Sequence, residues 1–248
     1  MKLKILGTGT ATPSLQRVSS SYLLSTGWGR ILVDIGPSVV RRLLEYGHTT
    51  DHIDLIALTH FHPDHTVDLA TFLFASNYGS TQRKKPLILL GGKGLQDFYD
   101  NFVHLYRWLA PAGYKLSVKS LPGGRLRLGN ISIKTSGSDH NPESIVLRVE
   151  ERRDRAKKTA KSVVFTGDTD FSKELVALAA RADLLVSECS FPQKKVKGHL
   201  NLPALQRIVQ GAKPRRVILS HLYPDWEAFD GVLQAPLLLG FDGLELEI

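Results

Sequence analysis

Four side chains able to bind a metal fall within six residues: His60, His62, Asp64 and His65, in Thr59-His60-Phe61-His62-Pro63-Asp64-His65. They follow the apolar run 53–58, which reads as a buried strand. In an extended chain, side chains two apart point the same way, so His60 and His62 can converge on one ion. Pro63 breaks the strand, and the turn carries Asp64 and His65 toward a second position. Imidazole and carboxylate without thiolate suit zinc or another first-row divalent metal. The chain has one cysteine, Cys189. That excludes an internal disulfide framework and any multi-cysteine metal site.

One cluster cannot complete two metal shells. Three later residues follow strand-like runs: His140 in Ser138-Asp139-His140-Asn141, Asp168 in Phe165-Thr166-Gly167-Asp168, and His221 in Leu219-Ser220-His221. Taken singly, each reads as an ordinary turn or strand-end residue. Together they raise the candidate ligands to seven.

The pattern His-x-His-x-Asp-His with distant His, Asp and His resembles the hallmark of the metallo-β-lactamase superfamily, in order and over nearly the whole chain. The resemblance implies an α/β fold, a four-layer αββα sandwich of two mixed β-sheets flanked by helices, with metals at one edge. It implies that His60, His62 and His140 hold one divalent ion, that Asp64, His65 and His221 hold another, and that Asp168 bridges them. Zinc is the expected metal, with manganese or iron as alternatives. The implied chemistry is attack by a metal-bridging hydroxide, with Asp64 also helping to position it.

Having both Asp64 and His65 separates the chain from true β-lactamases. Two segments resemble the ribonuclease Z branch. One is Leu6-Gly7-Thr8-Gly9-Thr10-Ala11-Thr12-Pro13, followed by Arg17, Ser19 and Ser20. The other is Ser187-Glu188-Cys189-Ser190-Phe191, followed by Gly198-His199-Leu200-Asn201. That resemblance makes Glu188 the group that orients His199, a general acid at the leaving oxygen. The chain departs from tRNA-processing members between His140 and Asp168. There it has room for two strands and a charged tip, not for a long substrate-gripping arm. The expected function is therefore a phosphodiesterase acting on RNA or a small cyclic phosphate. A thioesterase or lactonase of the same superfamily, and a non-catalytic metal-binding or sensing protein, are the competing readings.

The elements that must position these residues follow from periodicity. Strands are expected at 2–6, 20–24, 31–34, 53–58 and 87–90, then as several short runs up to 149, and at 163–166, 184–187 and 217–220. Helices are expected near 39–44, at 67–78, from Gly91-Gly92 toward Tyr106, and near 172–181 and 202–211. The picture is a β-rich first half and an α/β second half in one domain over 1–248.

The chain has 248 residues, 42% of them hydrophobic, enough for a buried core. No apolar run approaches a membrane span and no signal peptide is read, so a cytoplasmic protein is expected. The net charge of +8 gathers at 152–161 and 194–197, consistent with an anionic phosphodiester substrate. Each cluster also reads as an ordinary solvated loop. A homodimer is a further expectation carried by the resemblance. His48, His52 and His104 read as structural or surface residues, and Cys189 as a small core residue.

Overall fold

The computed structural model describes residues 1–154 and 159–248; 155–158, within the charged tip read over 150–161, lie outside the described residues. The first half runs β1 (Lys2–Gly7), β2 (Ser21–Ser25), β3 (Arg30–Val33), α1 (Val39–Glu45), β4 (Leu55–Ala57), α2 (Pro63–Thr66), α3 (Asp68–Tyr78), β5 (Leu87–Gly91), α4 (Leu95–Leu105) and β6 (Leu116–Ser120). The second runs β7 (Gly124–Leu128), β8 (Ile131–Gly137), β9 (Ile145–Asp154), β10 (Thr159–Phe165), α5 (Lys173–Ala179), β11 (Leu184–Glu188), α6 (Leu202–Ala212), β12 (Val217–Ser220), β13 (Leu237–Leu239) and β14 (Glu245–Glu247).

These strands form two seven-stranded sheets, in the orders β14-β1-β2-β3-β4-β5-β6 and β13-β12-β11-β10-β9-β8-β7. Each sheet is antiparallel at one side and parallel at the other, with parallel pairing from β3 to β6 and from β10 to β13. The expected contrast between a β-rich first half and an α/β second half therefore gives way to one plan used twice. No helix among the described residues is long and apolar enough to cross a membrane.

The layers follow from which faces are apolar. β8 alternates, with Ile131 and Ile133 inward and Ser132, Lys134 and Ser136 outward. β11 and β12 are buried throughout, as strands covered on both faces must be. Ile5, Leu24, Ile31 and Val33 of the first sheet meet Ile133, Leu147, Phe165 and Val186 of the second in one inter-sheet core. Outside it, Leu32, Ile56 and Leu89 pack under α1 and α3 through Leu43, Phe72 and Leu73. On the other side, Val164, Leu185 and Leu219 pack under α5 and α6 through Leu175, Leu205 and Ile208. The result is the expected αββα sandwich.

Local differences have physical causes. The run 53–58 is a strand only over Leu55–Ala57; Ile53 caps the helical turn Thr50–His52, while beyond the strand Leu58 N–H still donates to Leu90 O at 2.8 Å. Pro63 does more than break a strand. It opens the helical turn α2, since its fixed φ and missing N–H suit a first helical position. β13 and β14 escape the sequence reading, since each is three residues long and shows no periodicity.

The segment after β3 docks directly on the histidine-rich loop. Ile35 N–H donates to His65 O at 2.8 Å, and Asp68 N–H to Ile35 O at 3.0 Å. This approach requires a glycine at 36, where a Cβ would stand 1.8 Å from the Asp64 carbonyl oxygen. Gly36→Ala should cost about 1–3 kcal/mol, as overpacking does. At this chain length each kcal/mol lowers Tm by about 2–4 °C. Gly137→Ala, whose Cβ would meet open space, should leave Tm unchanged in the same thermal melts.

Candidate metal centre

All seven expected ligands lie at one edge of the sandwich. His60, His62, Asp64 and His65 come from the loop after β4 and the first turn of α2, His140 from the β8–β9 connection, Asp168 from just beyond β10, and His221 from just beyond β12. Seven ligands from four segments meet because the parallel strands β4, β10 and β12 all end at this edge.

Their atoms fall into two groups, His60, His62, His140 and Asp168 in one and Asp64, His65 and His221 in the other, each within 4.8 Å. Asp168 stands between them. Its Oδ2 lies 3.6 Å from His60 Nε2 and 4.0 Å from His140 Nε2. Its Oδ1 lies 3.4 Å from both His65 Nε2 and His221 Nε2. Asp64 Oδ2 is 3.5 Å from His65 Nε2 and 3.4 Å from His221 Nε2. Ligands bonded tetrahedrally at ~2.0–2.1 Å stand about 3.4 Å from one another. The observed separations match a ligand set better than a hydrogen-bond network.

Each imidazole is aimed by a partner on its other nitrogen. Nδ1 of His60 contacts Thr59 Oγ1 at 3.1 Å, that of His65 contacts Asp34 Oδ2 at 2.8 Å, that of His140 contacts Gly198 O at 3.0 Å, and that of His221 contacts Ser190 Oγ at 3.0 Å. His62 is reversed. Its Nε2 lies 3.1 Å from Asn141 Nδ2, and its Nδ1 faces His140 Nε2 at 3.3 Å. Asp34 also accepts from Thr59 N–H and Thr59 Oγ1–H. Asp34 and His221 both hold left-handed backbone, at φ 59° and 53°. Asp and His tolerate that region better than most residues.

The electrostatics set the protonation states. Burial pushes the His60 imidazole well below the ordinary histidine value, with His65 adding to the effect. Burial opposes protonation of His65, but the Asp168 and Asp34 carboxylates hold it well above that value. Burial likewise opposes ionisation of Asp64 and Asp168. The histidines around them, His221 and His65 foremost, keep both carboxyls far below the usual range. The orphaned atoms test whether this donor set fits cations. His60 Nε2, His65 Nε2 and Asp168 Oδ1 are buried with no hydrogen-bond partner. Each such group costs about 1–3 kcal/mol if left unsatisfied. All three point into the cluster, and a pair of divalent cations would satisfy them together.

Glu188 and His199 meet beside this cluster. His199 Nδ1 lies 3.3 Å from Glu188 Oε1, 3.3 Å from Ser190 Oγ and 3.9 Å from Asp168 Oδ2. Burial lowers the His199 pKa, but the Glu188 carboxylate and then Asp168 raise it above the ordinary value. The ligand-capable atoms of Asp168, His199 and His221 also fall within 4.8 Å, so His199 has the geometry of a ligand as well as of an acid. Glu188 is fixed in turn by Thr169 N–H, Leu200 N–H and Ser190 Oγ–H.

Three groups at the site escape the sequence reading. Asp34 ends an ordinary-looking strand 31 residues before His65. Ser190 lies in a quoted segment but gives no sign that it links His221, Glu188 and His199. Asn141 follows His140 as a plain turn residue. His48 and His52 line a hollow of about 410 Å³ between α1 and α3. No ligand lines that hollow; donor geometry, not volume, marks this centre. Cys189 is a buried core residue, and its thiol is pushed well up by burial. Exchange of Asp34 for Asn should weaken one of two cation-binding events about 10–100-fold, as loss of such an orienting partner does. Zinc titration of chelator-treated protein would read this, and equal weakening of both events would contradict it.

The comparisons agree with this geometry. Residues 1–106 match the family model described as Anti-Pycsar protein Apyc1. The chain is 26% identical over 227 residues to the probable metallo-hydrolase YhfI of Bacillus subtilis, covering 90% of this chain and 87% of that protein. It is 27% identical over 250 residues to ribonuclease Z of Pyrobaculum arsenaticum, covering 90% and 86%. The crystal structure of YhfI, a metallo-β-lactamase-fold protein, superposes with TM-score 0.79 at 22% identity, over 99% of this chain and 98% of that one. Human tRNase Z, short form, superposes with TM-score 0.79 at 20% identity, over 100% and 99%. With its two-sheet sandwich and flanking helices, the chain has the metallo-β-lactamase fold, and in sequence it is similar to ribonuclease Z and YhfI.

Proposed function

We propose that the chain is a dinuclear-metal-dependent phosphodiesterase. The observation that carries this reading is the histidine outside the seven-ligand set, His199, held by Glu188 and Ser190 through Nδ1 alone. Among the described residues no protein group is hydrogen-bonded to its Nε2. Two divalent cations at the centre would supply Lewis acidity and an activated water. The chain's own part is to aim and donate. Asp64, fixed between His65 and His221, presents its carboxylate to the attacking side. His199 Nε2–H, with the imidazolium favoured by Glu188, gives its proton to the leaving oxygen. Ser190 donates to Glu188 at 2.7 Å, which keeps that carboxylate against the histidine. Lys195 pairs with Asp170 at 2.5 Å, and its ammonium is therefore committed to the loop that carries His199 rather than free for substrate.

The substrate is a small phosphodiester rather than a precursor tRNA. Between His140 and Asp168 the chain is taken up largely by β9 and β10, paired from Leu147 with Phe165 to Asp154 with Thr159. That interval leaves no room for a tRNA-gripping arm. The ribonuclease Z relatives point to the same phosphoryl chemistry.

His199→Ala should lower turnover of bis(p-nitrophenyl) phosphate by ~10²–10⁴. Metal analysis of the same variant should still find two ions per chain, and loss of an ion would make His199 a ligand instead. A panel of that phosphodiester, a precursor tRNA, a thioester and a lactone checks the class. Turnover of the small phosphodiester well above the others is expected, whereas turnover of the thioester or lactone alone would overturn the reading.

A further inference from the structure

We propose that the outer face of the second sheet carries a phosphate-binding hollow, separate from the metal centre, built by Arg125, Arg127, Ser132 and Arg152. The hollow is about 100 Å³ and is lined by β7, β8, β9, β10 and the Gly129-Asn130 turn, with no helical residue. Sheet register puts the key side chains on one face. Arg127 stands opposite Ser132, and Ser132 opposite Glu150. Arg125 and Arg152 lie two residues from Arg127 and Glu150, so they share that face.

The charge is unbalanced. Glu150 is the acidic group in the lining, and it is taken. Its Oε1 accepts from Lys134 at 3.0 Å and from Arg148 at 2.9 Å. Glu151, next in the chain, faces the other way and binds the N-terminal ammonium at 3.3 Å. Arg125, Arg127 and Arg152 are exposed and have no carboxylate partner among the described residues. Ser132 Oγ is buried, lines the same hollow and has no hydrogen-bond partner. Three guanidinium forks and an unpaired hydroxyl around one small concavity match a tetrahedral oxyanion, which guanidinium binds through paired N–H groups. The hollow is small and open to solvent, and its lining offers an oxyanion such as phosphate charged donors on several sides.

The hollow is distinct from the metal centre. β8 leads from Ser132 to Gly137, and His140 follows beyond it. At ~3.4 Å per residue, that strand alone spans about 17 Å. A small phosphodiester at the metals therefore cannot also fill the hollow. The ligand is a second phosphate, borne either by a small molecule or by a polymer backbone.

The test is an NMR titration of the metal-loaded protein with inorganic phosphate, following the Ser132 amide and the Arg Nε–H signals. Millimolar phosphate should shift Ser132, Arg127 and Arg152. The variant R125Q/R127Q/R152Q should bind at least about tenfold more weakly, the size of losing a charge-assisted hydrogen bond. All three positions are exposed, so the variant folds, which its amide spectrum verifies. A control that removes the same charge elsewhere, K115Q/K119Q/K173Q, should keep the affinity. No shift at Ser132, or equal weakening in the control, would overturn the proposal. A repeat with a short oligoribonucleotide as competitor identifies the source: displacement of phosphate points to a polymer backbone, and its failure to displace points to a small phosphate.

Discussion

One carboxylate holds the two halves of this site together. Asp168 is buried between two sets of imidazoles, and each of its oxygens faces a different set. Burial opposes its ionisation, and the surrounding histidines, His221 and His65 foremost, hold its carboxyl below the usual range. Those histidines leave buried nitrogens without partners. The cluster is thus poorly satisfied by protein alone and well matched to cations. Around it the His and Asp side chains form clusters whose spacing is consistent with a dinuclear metal site.

That holding is done by sheet register and by outer partners. β10, β11 and β12 run parallel, with Phe165 beside Val186 and Glu188 beside Ser220. Asp168, Glu188 and His221 therefore emerge at one edge. A one-residue slip would turn these strands' side chains to the opposite face. The sheets are tied together beneath the centre by Tyr22 Oη–H, which donates to Ser220 Oγ at 2.8 Å across the inter-sheet core. The imidazoles are then oriented by Asp34, Ser190, Thr59, Asn141 and the Gly198 carbonyl. Most of these partners lie in the same half of the chain as the imidazole they hold, and the His62–Asn141 contact joins the two halves.

The same logic separates the charged surfaces. Lys195, in the loop that carries His199, pairs with Asp170 from the segment after β10. On the outer face of the second sheet, Lys134 and Arg148 share Glu150, and Arg125, Arg127 and Arg152 have no carboxylate partner among the described residues. A basic balance of +8 therefore has unequal meaning along the chain. Pairing, not composition, distinguishes a solvated salt bridge from a surface that attracts an anion.

By itself, the sequence determined the ligand types and the class of fold. Four donors within six residues are a local pattern, and the buried runs before Asp168 and His221 announce strands that end in function. The long helices and buried strands were legible for the same reason, because periodicity is local. β13 and β14 were not, since three residues at a sheet edge carry no period. The pairing of donors with their partners belonged to the tertiary structure alone. Asp34 meets His65 only once β3 and β4 are paired, and Asp64 meets His221 only once the two sheets are packed together; His140 meets the Gly198 carbonyl across 58 residues. No local spacing encodes those contacts, because they arise where separate parallel strands end side by side.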